Sequence, residues 1–223
     1  MSYQDIDPVI SALLFEVKKN QLKLIQKRGY NIDREKNLLS ITLKQFLKAY
    51  IPYAENNNKS FRSVLTNFYE NDQGKRILVY YADADPGKSQ LGVNIVGDAI
   101  EDMVKYKLQD AIIITPKALS SSAYKHVARL VSYNIQVFLE EEMSYNPLEH
   151  IFTPEHIPLS PEEQQQYLKR NNLTIDQIPK ILNTDVIMMY LGLQKGQLVK
   201  INRYNIFQTS IIESTSYRVV IDE

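Results

Sequence analysis

The sequence contains no cysteine among its 223 residues. This absence excludes disulfides, thiolate catalysis and cysteine-based zinc sites, and it is typical of an intracellular protein. The three histidines, His126, His150 and His156, lack the spacing of metal ligands, and neither a His-Glu-x-x-His motif nor a Gly-x-Ser-x-Gly nucleophile elbow occurs. We therefore expect no metal and no cofactor.

Long apolar runs and an excess of one charge are missing as well. The apolar runs are too short to cross a bilayer, and no secretory hydrophobic segment opens the chain, so we expect a soluble protein without a membrane partner. Lys plus Arg and Asp plus Glu number 26 each, so no global field attracts DNA. A free DNA-binding regulator, which needs a basic face, is disfavoured for the same reason.

What is present, 44% apolar and 23% charged residues, is the composition of a folded globular protein. Asp7-Pro8 starts a helix whose apolar stripe ends at Gly29, and a second helix is predicted from Thr42 to about Tyr50, before an exposed polar loop at 54–60. Strands alternating with helical patterns are predicted at 76–81, 111–115 and 135–140. This order predicts an α/β domain with a small, mainly parallel sheet.

The alternation of predicted strands and helices ends near residue 147. We therefore predict two domains, an α/β domain at 1–147 and a compact α+β domain at 148–223. "SPEE" is a capping box that opens a helix ending near Arg170, and a short helix is predicted from Asp185 to Leu191. A small mixed or antiparallel sheet is predicted from strands near 197–202, 208–213 and 216–221. The two domains carry 19 basic with 17 acidic residues and 7 with 9, so neither strongly attracts nucleic acid.

The stretch "YYADADPGKSQ" imitates a phosphate-binding loop. Such a loop needs glycine where Ala82 stands, and Asp83 and Asp85 would repel phosphate, so a surface turn is the better interpretation. The same aspartates, with the run 140–142, lie at the ends of predicted parallel strands, where active sites of α/β folds occur. A metal-dependent nuclease is therefore the alternative function, because carboxylates there can hold an ion that activates water.

The stretch "GLQKG" falls between a helix and a strand, the wrong order for a phosphate loop. Gly192 fits a left-handed helix cap and Gly196 a turn into the strand. The residues alone leave two interpretations open, a structural turn and an interaction surface.

The order of motifs after residue 148 resembles the C-terminal domain of the fifth subunit of eukaryotic RNA polymerases, a domain that archaeal RNA polymerases contain as a separate small subunit. The family pattern runs from Pro-x-His through Leu-Ser-x-Glu-Glu and Tyr-x-Gly-Leu-Lys-Arg-Gly to Val-Val-Lys-Ile-x-Arg and a final Tyr-Arg. Matching positions are Pro154, His156, Leu159, Ser160, Glu162, Glu163, Gln177, Pro179, Ile181, Asp185, Tyr190, Gly192, Leu193, Gly196, Val199, Lys200, Ile201, Arg203, Tyr217 and Arg218. Earlier in the chain "KRGY" and Thr115-Pro116 resemble the family's Arg-Gly-Tyr and Thr-Pro-Ser-Ala stretches, more weakly.

The resemblance implies a non-catalytic subunit of a multisubunit DNA-dependent RNA polymerase. In that family the N-terminal domain is a jaw beside the downstream DNA, and the C-terminal domain docks on the largest subunit. The chemistry and its magnesium belong to the two largest subunits, so no active site is expected here. Other polymerase subunits are further partners, and DNA contact is expected to be weak and non-specific.

Several positions depart from the family pattern. Lys180 replaces arginine, Val186 replaces proline, and the segment 204–213 does not match the usual connection. This drift beside an intact layout favours a polymerase encoded by a large DNA virus. We expect a nuclear location if the chain is cellular, and the virion or the host cytoplasm or nucleus if it is viral.

The matched polar and aromatic positions predict the interface with the largest subunit. Tyrosine and arginine are frequent interface anchors, but Tyr190 packing in the core and Asp185 capping the helix is an open alternative. Lys117 and Lys125 are predicted near DNA, and Gly29, Gly192 and Gly196 are predicted as structural turns. The predicted interface residues are Pro179, Lys180, Asp185, Tyr190, Lys195, Lys200, Arg203, Tyr217 and Arg218.

Overall fold

The computed structural model describes residues 7–83, 87–207 and 210–222, and their side chains except those at 205–212. The chain divides into two compact units, Met1–Tyr145 and Asn146–Glu223. No helix in the described part of the chain is long and apolar enough to span a bilayer. Whether either unit folds alone is a separate prediction.

The first unit is built on a four-stranded sheet with the order β1-β2-β3-β4. β1 pairs antiparallel with β2, whereas β2–β3 and β3–β4 are parallel pairs. The elements are α1 (Pro8–Lys27), α2 (Leu43–Asn56), β1 (Asn67–Glu70), β2 (Arg76–Tyr81), α3 (Val93–Lys105), β3 (Asp110–Thr115), α4 (Ser121–Arg129), β4 (Asn134–Leu139) and α5 (Glu140–Met143).

Local capping signals start these helices. Asp7 accepts a hydrogen bond from the amide of Val9 at the start of α1, and Thr42 and Gln45 form a capping box at the start of α2. α2 runs to Asn56, so the loop predicted from Ala54 was wrong at its first three residues. The helix continues because Ala54 is 7% exposed and completes its buried face.

The core of the first unit surrounds β3, whose six residues are all buried. A central strand covered on both faces has a continuous apolar run, which is why "AIIIT" predicts a strand correctly. β1 was not predicted, because its four residues Asn-Phe-Tyr-Glu lack the run of apolar residues that marks a buried strand. Only its tyrosine is fully buried.

The second unit is built on a four-stranded mixed sheet with the order β5-β7-β8-β6. β7 pairs antiparallel with β5 and β8, and β6 pairs parallel with β8. The elements are β5 (Glu155–Pro158), α6 (Pro161–Arg170), β6 (Lys180–Leu182), α7 (Val186–Leu191), β7 (Leu198–Phe207) and β8 (Ser210–Ile221).

Where the sequence predicted three strands after α7, the structure has two long strands, β7 and β8, which pair as one antiparallel hairpin. β7 continues past Asn202 to Phe207, although Arg203 and Asn205 are polar. Pairing with β8 satisfies the backbone groups of the strand whatever its side chains are. Gln208, where the middle strand was predicted to begin, lies outside the described residues. β5 and β6 were not predicted, since each is only three or four residues long.

Candidate functional site

The segment between α7 and β7 is held by backbone geometry. Oδ1 of Asp185 accepts hydrogen bonds from the amides of Ile187 (2.9 Å) and Met188 (3.3 Å), which caps α7. Gly192 has φ of 70° and Gly196 has φ of 86°, both in the left-handed region that favours glycine. The amide of Gly196 donates to the carbonyl of Val220, 2.9 Å away, which ties the turn to β8.

Tyr190 lies inside the second unit and not at a surface. Its side chain is 3% exposed, on the same short helix as the buried Met188 and Leu191. This burial counts against the prediction of Tyr190 as an interface anchor, because so little of the ring is available to a partner. The open alternative describes both residues better: Tyr190 packs internally, and the carboxylate of Asp185 is engaged as the helix cap.

The other predicted interface residues do not share one surface. Side chains alternate between faces along a strand, and paired residues project to the same face. Lys200 pairs with Tyr217 on the face that packs against α6, whereas Arg218 pairs with Val199 on the face that packs against α7. Arg203 also belongs to the α7 face, while Pro179, Lys180 and Lys195 are exposed at an edge strand and a turn.

Three of these cations have partners within the unit. An Nη atom of Arg203 donates to Oγ of Ser216 at 3.2 Å, and one of Arg218 donates to the carbonyl of Lys180 at 3.1 Å. Lys195 forms an exposed ion pair of 3.0 Å with Asp222. These contacts give Arg203 and Arg218 structural roles along the sheet.

The sheet face that carries Lys200 and Tyr217 forms a groove beside α6, with a volume of about 810 Å³. Tyr217 stacks on Tyr167 of α6, with ring centroids 3.8 Å apart and planes 23° apart. Arg170 lines the same groove. Sequence reasoning missed Tyr167 and Arg170, although their spacing of three residues places them on one side of a helix.

Three of the carboxylates that suggested a nuclease, those of Asp83, Glu140 and Glu142, form hydrogen bonds within the chain. Glu140 is 2% exposed and accepts two hydrogen bonds from Arg62, at 2.6 and 3.0 Å. Asp83 accepts from Oγ of Ser60 at 2.6 Å, and Oε2 of Glu142 accepts from the amide of Leu139. Asp85 lies outside the described residues, and among those described no group of three or more acidic, histidine or cysteine residues is arranged to hold a metal.

Lys117 and Lys125 lie in the segment that follows β3 and in α4. Lys117 follows that strand, and its amine donates to the carbonyl of Lys88 at 2.6 Å. Lys125 is exposed on α4. A contact of either lysine with DNA stays a prediction.

A buried polar cluster in the first unit was not foreseen from sequence. The amine of Lys18, 1% exposed, lies 3.1 Å from Oε2 of Glu35 and 3.1 Å from the hydroxyl of Tyr69, which also binds Glu35. Burial lowers the pKa of Lys18, and Glu35 offsets part of this. Although burial raises the pKa of Glu35, the charge of Lys18 and the hydrogen bonds lower it more. The sequence did contain one signal for this cluster: Lys18 lies at helical spacing from the apolar residues Leu14 and Ile25, on the face of α1 that is buried.

Comparison with known proteins covers both units. Residues 145–220 match the family described as RNA polymerase Rpb5, C-terminal domain. The chain is 28% identical over 193 residues to the DNA-directed RNA polymerases I, II, and III subunit RPABC1 of Caenorhabditis briggsae, covering 85% of this chain and 88% of that protein. It is 24% identical to the DNA-directed RNA polymerase V subunit 5A of Arabidopsis thaliana, covering 90% and 86%. It is 29% identical to the DNA-directed RNA polymerase subunit 5-like protein 1 of the same plant, covering 89% and 92%.

These similarities confirm the resemblance found in the sequence and leave the nuclease without support. Residues 145–220 are similar to the C-terminal domain of the fifth RNA polymerase subunit. Over 85 to 90% of its length the chain is similar to RNA polymerase subunits of the fifth-subunit type. A viral origin stays a prediction.

Proposed function

We propose that the chain joins RNA polymerase by docking its Asn146–Glu223 unit on the largest subunit, and that the Met1–Tyr145 unit acts as a jaw beside the downstream DNA. In this proposal the chain has no active site of its own. Its location is that of the polymerase it joins, which is the nucleus for a nuclear polymerase. One observation carries the proposal. Similarity to polymerase subunits extends over 85 to 90% of the chain, so it includes both units and not the C-terminal domain alone.

Affinity purification tests the docking. A tagged chain, expressed in the cell from which it comes, should recover the largest RNA polymerase subunit in stoichiometric amount. The same tag on residues 1–145 alone should recover much less, because the proposed docking unit is missing. Equal recovery by both chains, or no polymerase subunit with the full chain, would contradict the proposal.

The contact with DNA is proposed to be weak and independent of sequence. The first 147 residues carry 19 basic and 17 acidic residues, so few counterions are available for release. We expect the full chain to bind duplex DNA with a Kd of about 10⁻⁴ to 10⁻⁶ M, as is usual for non-specific binding.

Two pairs of substitutions locate that contact. Lys117→Glu with Lys125→Glu should reduce the dependence of log K on log salt by roughly 2, since each phosphate contact contributes about 0.9. Lys44→Glu with Lys48→Glu, two exposed lysines of α2, makes the same charge change elsewhere. Equal losses in both variants would mean that only net charge matters, and a consensus DNA site would contradict non-specific binding.

A further inference from the structure

We propose that the groove beside α6 is the docking site for an extended acidic segment of a polymerase subunit; this inference rests on the proposed function. The α6 groove is defined by Ile157, Tyr167, Arg170, Asn171, Lys200 and Tyr217. The proposal restricts the partner surface of the second unit to one face of its sheet. This face lies opposite the one that α7 covers.

Within the second unit, this sheet face is covered at one end only. Leu198 and Val219 form a pair beneath α6 and are 0% and 5% exposed. The next paired residues, Lys200 and Tyr217, are half-buried, and Ile157 beside Lys200 is 37% exposed. A sheet face normally buries its apolar part against another layer. Here α6 buries the first row fully and covers only part of the second, where Tyr167 stacks on Tyr217.

The charge of the groove indicates which kind of partner covers the part of this sheet face that α6 leaves open. Among the described residues, no ion pair or hydrogen bond joins the side chain of Lys200 or Arg170 to another group. Glu163 also lines the groove, but its carboxylate accepts from the amide of Ser160 at 2.8 Å in the capping box of α6. Two cations beside aromatic rings, one of them half-buried, are electrostatically complementary to carboxylates.

A peptide fits this groove better than nucleic acid does. The second unit carries 7 basic and 9 acidic residues, so a polyphosphate chain running over it meets net repulsion, whereas a short acidic segment meets only the groove. Tyr167 and Tyr217 stack on each other, so no gap between them is left for a base. The side chain of Ile157, 37% exposed in the groove, is an apolar contact suited to a polypeptide.

Photo-crosslinking in the assembled polymerase tests the location and the chemistry. A benzophenone amino acid replaces Thr215, which is exposed and lines the groove, or Val186, which is 54% exposed on α7. We expect position 215 to crosslink to a segment of a polymerase subunit that contains Asp or Glu, and position 186 to give no such product. A crosslink from 215 to nucleic acid or to a segment without acidic residues overturns the proposal. So does the absence of a crosslink from 215 while the chain co-purifies with the largest subunit; absence of co-purification instead overturns the proposed function.

Charge reversal gives a second test with a matched control. Arg170→Glu with Lys200→Glu should lower recovery of the largest subunit about tenfold or more, because like charges then face the acidic segment. Lys48→Glu with Lys169→Glu makes the same net change at exposed positions that neither line the groove nor belong to the predicted interface, and should leave recovery unchanged. Equal effects of the two variants, or none from the first, contradict the groove. If the first variant melts earlier than the unsubstituted chain, Arg170→Glu alone, on the exposed side of α6, decides the question.

Discussion

The amine of Lys18 on α1 lies 3.1 Å from a carboxylate oxygen of Glu35, with 1% and 13% of the two side chains exposed. The same amine donates to the carbonyl of Leu65 at 3.2 Å, and Tyr50 donates to the other oxygen of Glu35 at 3.3 Å. This ion pair ties α1 to the loop that follows it and to the segment before β1. A buried pair costs desolvation, so its importance appears when one partner is removed.

Lys18→Met should lower the free energy of unfolding of the first unit by about 3 to 5 kcal/mol, because it leaves the carboxylate of Glu35 buried without its cation. Lys19→Met is the matched control. The amine of Lys19 makes a 3.9 Å contact with the half-exposed Glu16 and lies 5.0 Å from the centroid of the Phe15 ring. Both contacts are weak, so the loss of this amine should cost about 1 kcal/mol. Adding Glu35→Gln to Lys18→Met should recover part of the loss, which urea denaturation of the three variants measures.

The stability of the first unit should fall in acid through Glu35. The folded pKa of Glu35 is below its ordinary value of 4.5: burial raises it, but Lys18 and the hydrogen bonds lower it more. Its contribution is therefore fully present above about pH 4.5 and is lost as the pH falls through the folded pKa, because the unfolded chain takes up the proton first. Glu35→Gln should flatten the decline measured by urea denaturation between about pH 3 and pH 6. Glu141→Gln, at an exposed position, should retain it; an unchanged slope in Glu35→Gln would contradict the prediction.

Gly29→Ala and Gly97→Ala should have opposite effects on the first unit. At each glycine an added Cβ meets nothing within 4 Å, but Gly29 has φ of 82° while Gly97 lies within α3. Alanine at 29 should destabilise by about 1 to 2 kcal/mol, the cost of a left-handed non-glycine residue. Alanine at 97 should stabilise by about 0.5 to 1 kcal/mol through helix propensity. Thermal melting of both variants checks the sign, and a shared sign would contradict the prediction that backbone conformation governs these positions.

Tyr190→Ala should destabilise the second unit by about 3 to 5 kcal/mol, as large buried aromatic side chains do on truncation. Val186→Ala on the same helix is the control, since Val186 is 54% exposed, and its change should stay within about 0.5 kcal/mol. Melting and recovery of the largest subunit are measured on both variants. If Tyr190→Ala no longer recovers the largest subunit but melts at an unchanged temperature, Tyr190 contacts the partner and the prediction of an internal role is wrong.

Residues 146–223 should fold as an isolated chain. They contain their own four-stranded sheet, and the core residues Met188, Val199 and Val220 are each 0% exposed. We expect one cooperative thermal transition and native chemical-shift dispersion. A broad, non-cooperative melt would show that the unit depends on the rest of the chain, and the boundary near residue 147 would then fail as a domain boundary.

Sequence alone determined the features of this protein that depend on a few neighbouring residues. Asp7, the pair Ser160 and Glu163, and Gly192 each mark a helix end through hydrogen bonds or backbone angles within a single turn. The apolar run of β3 indicated a central strand for a similarly local reason. The ordered motifs after residue 148 carried the family resemblance, since they record core and turn positions of this unit in chain order.

Tertiary structure alone decided which of the predicted interface residues share a surface. Lys200 and Arg203 are three residues apart on one strand and therefore lie on opposite faces. Only the pairing of that strand with β5 and β8 brings Lys200 beside Ile157 and Tyr217. The burial of Tyr190 and the meeting of Lys18 with Glu35 were likewise decided by packing between separate segments of the chain. A lysine within an apolar stripe or a tyrosine on a short helix has the same local pattern whether it is buried or exposed. Only the elements that pack around it set its contact with solvent and its pKa.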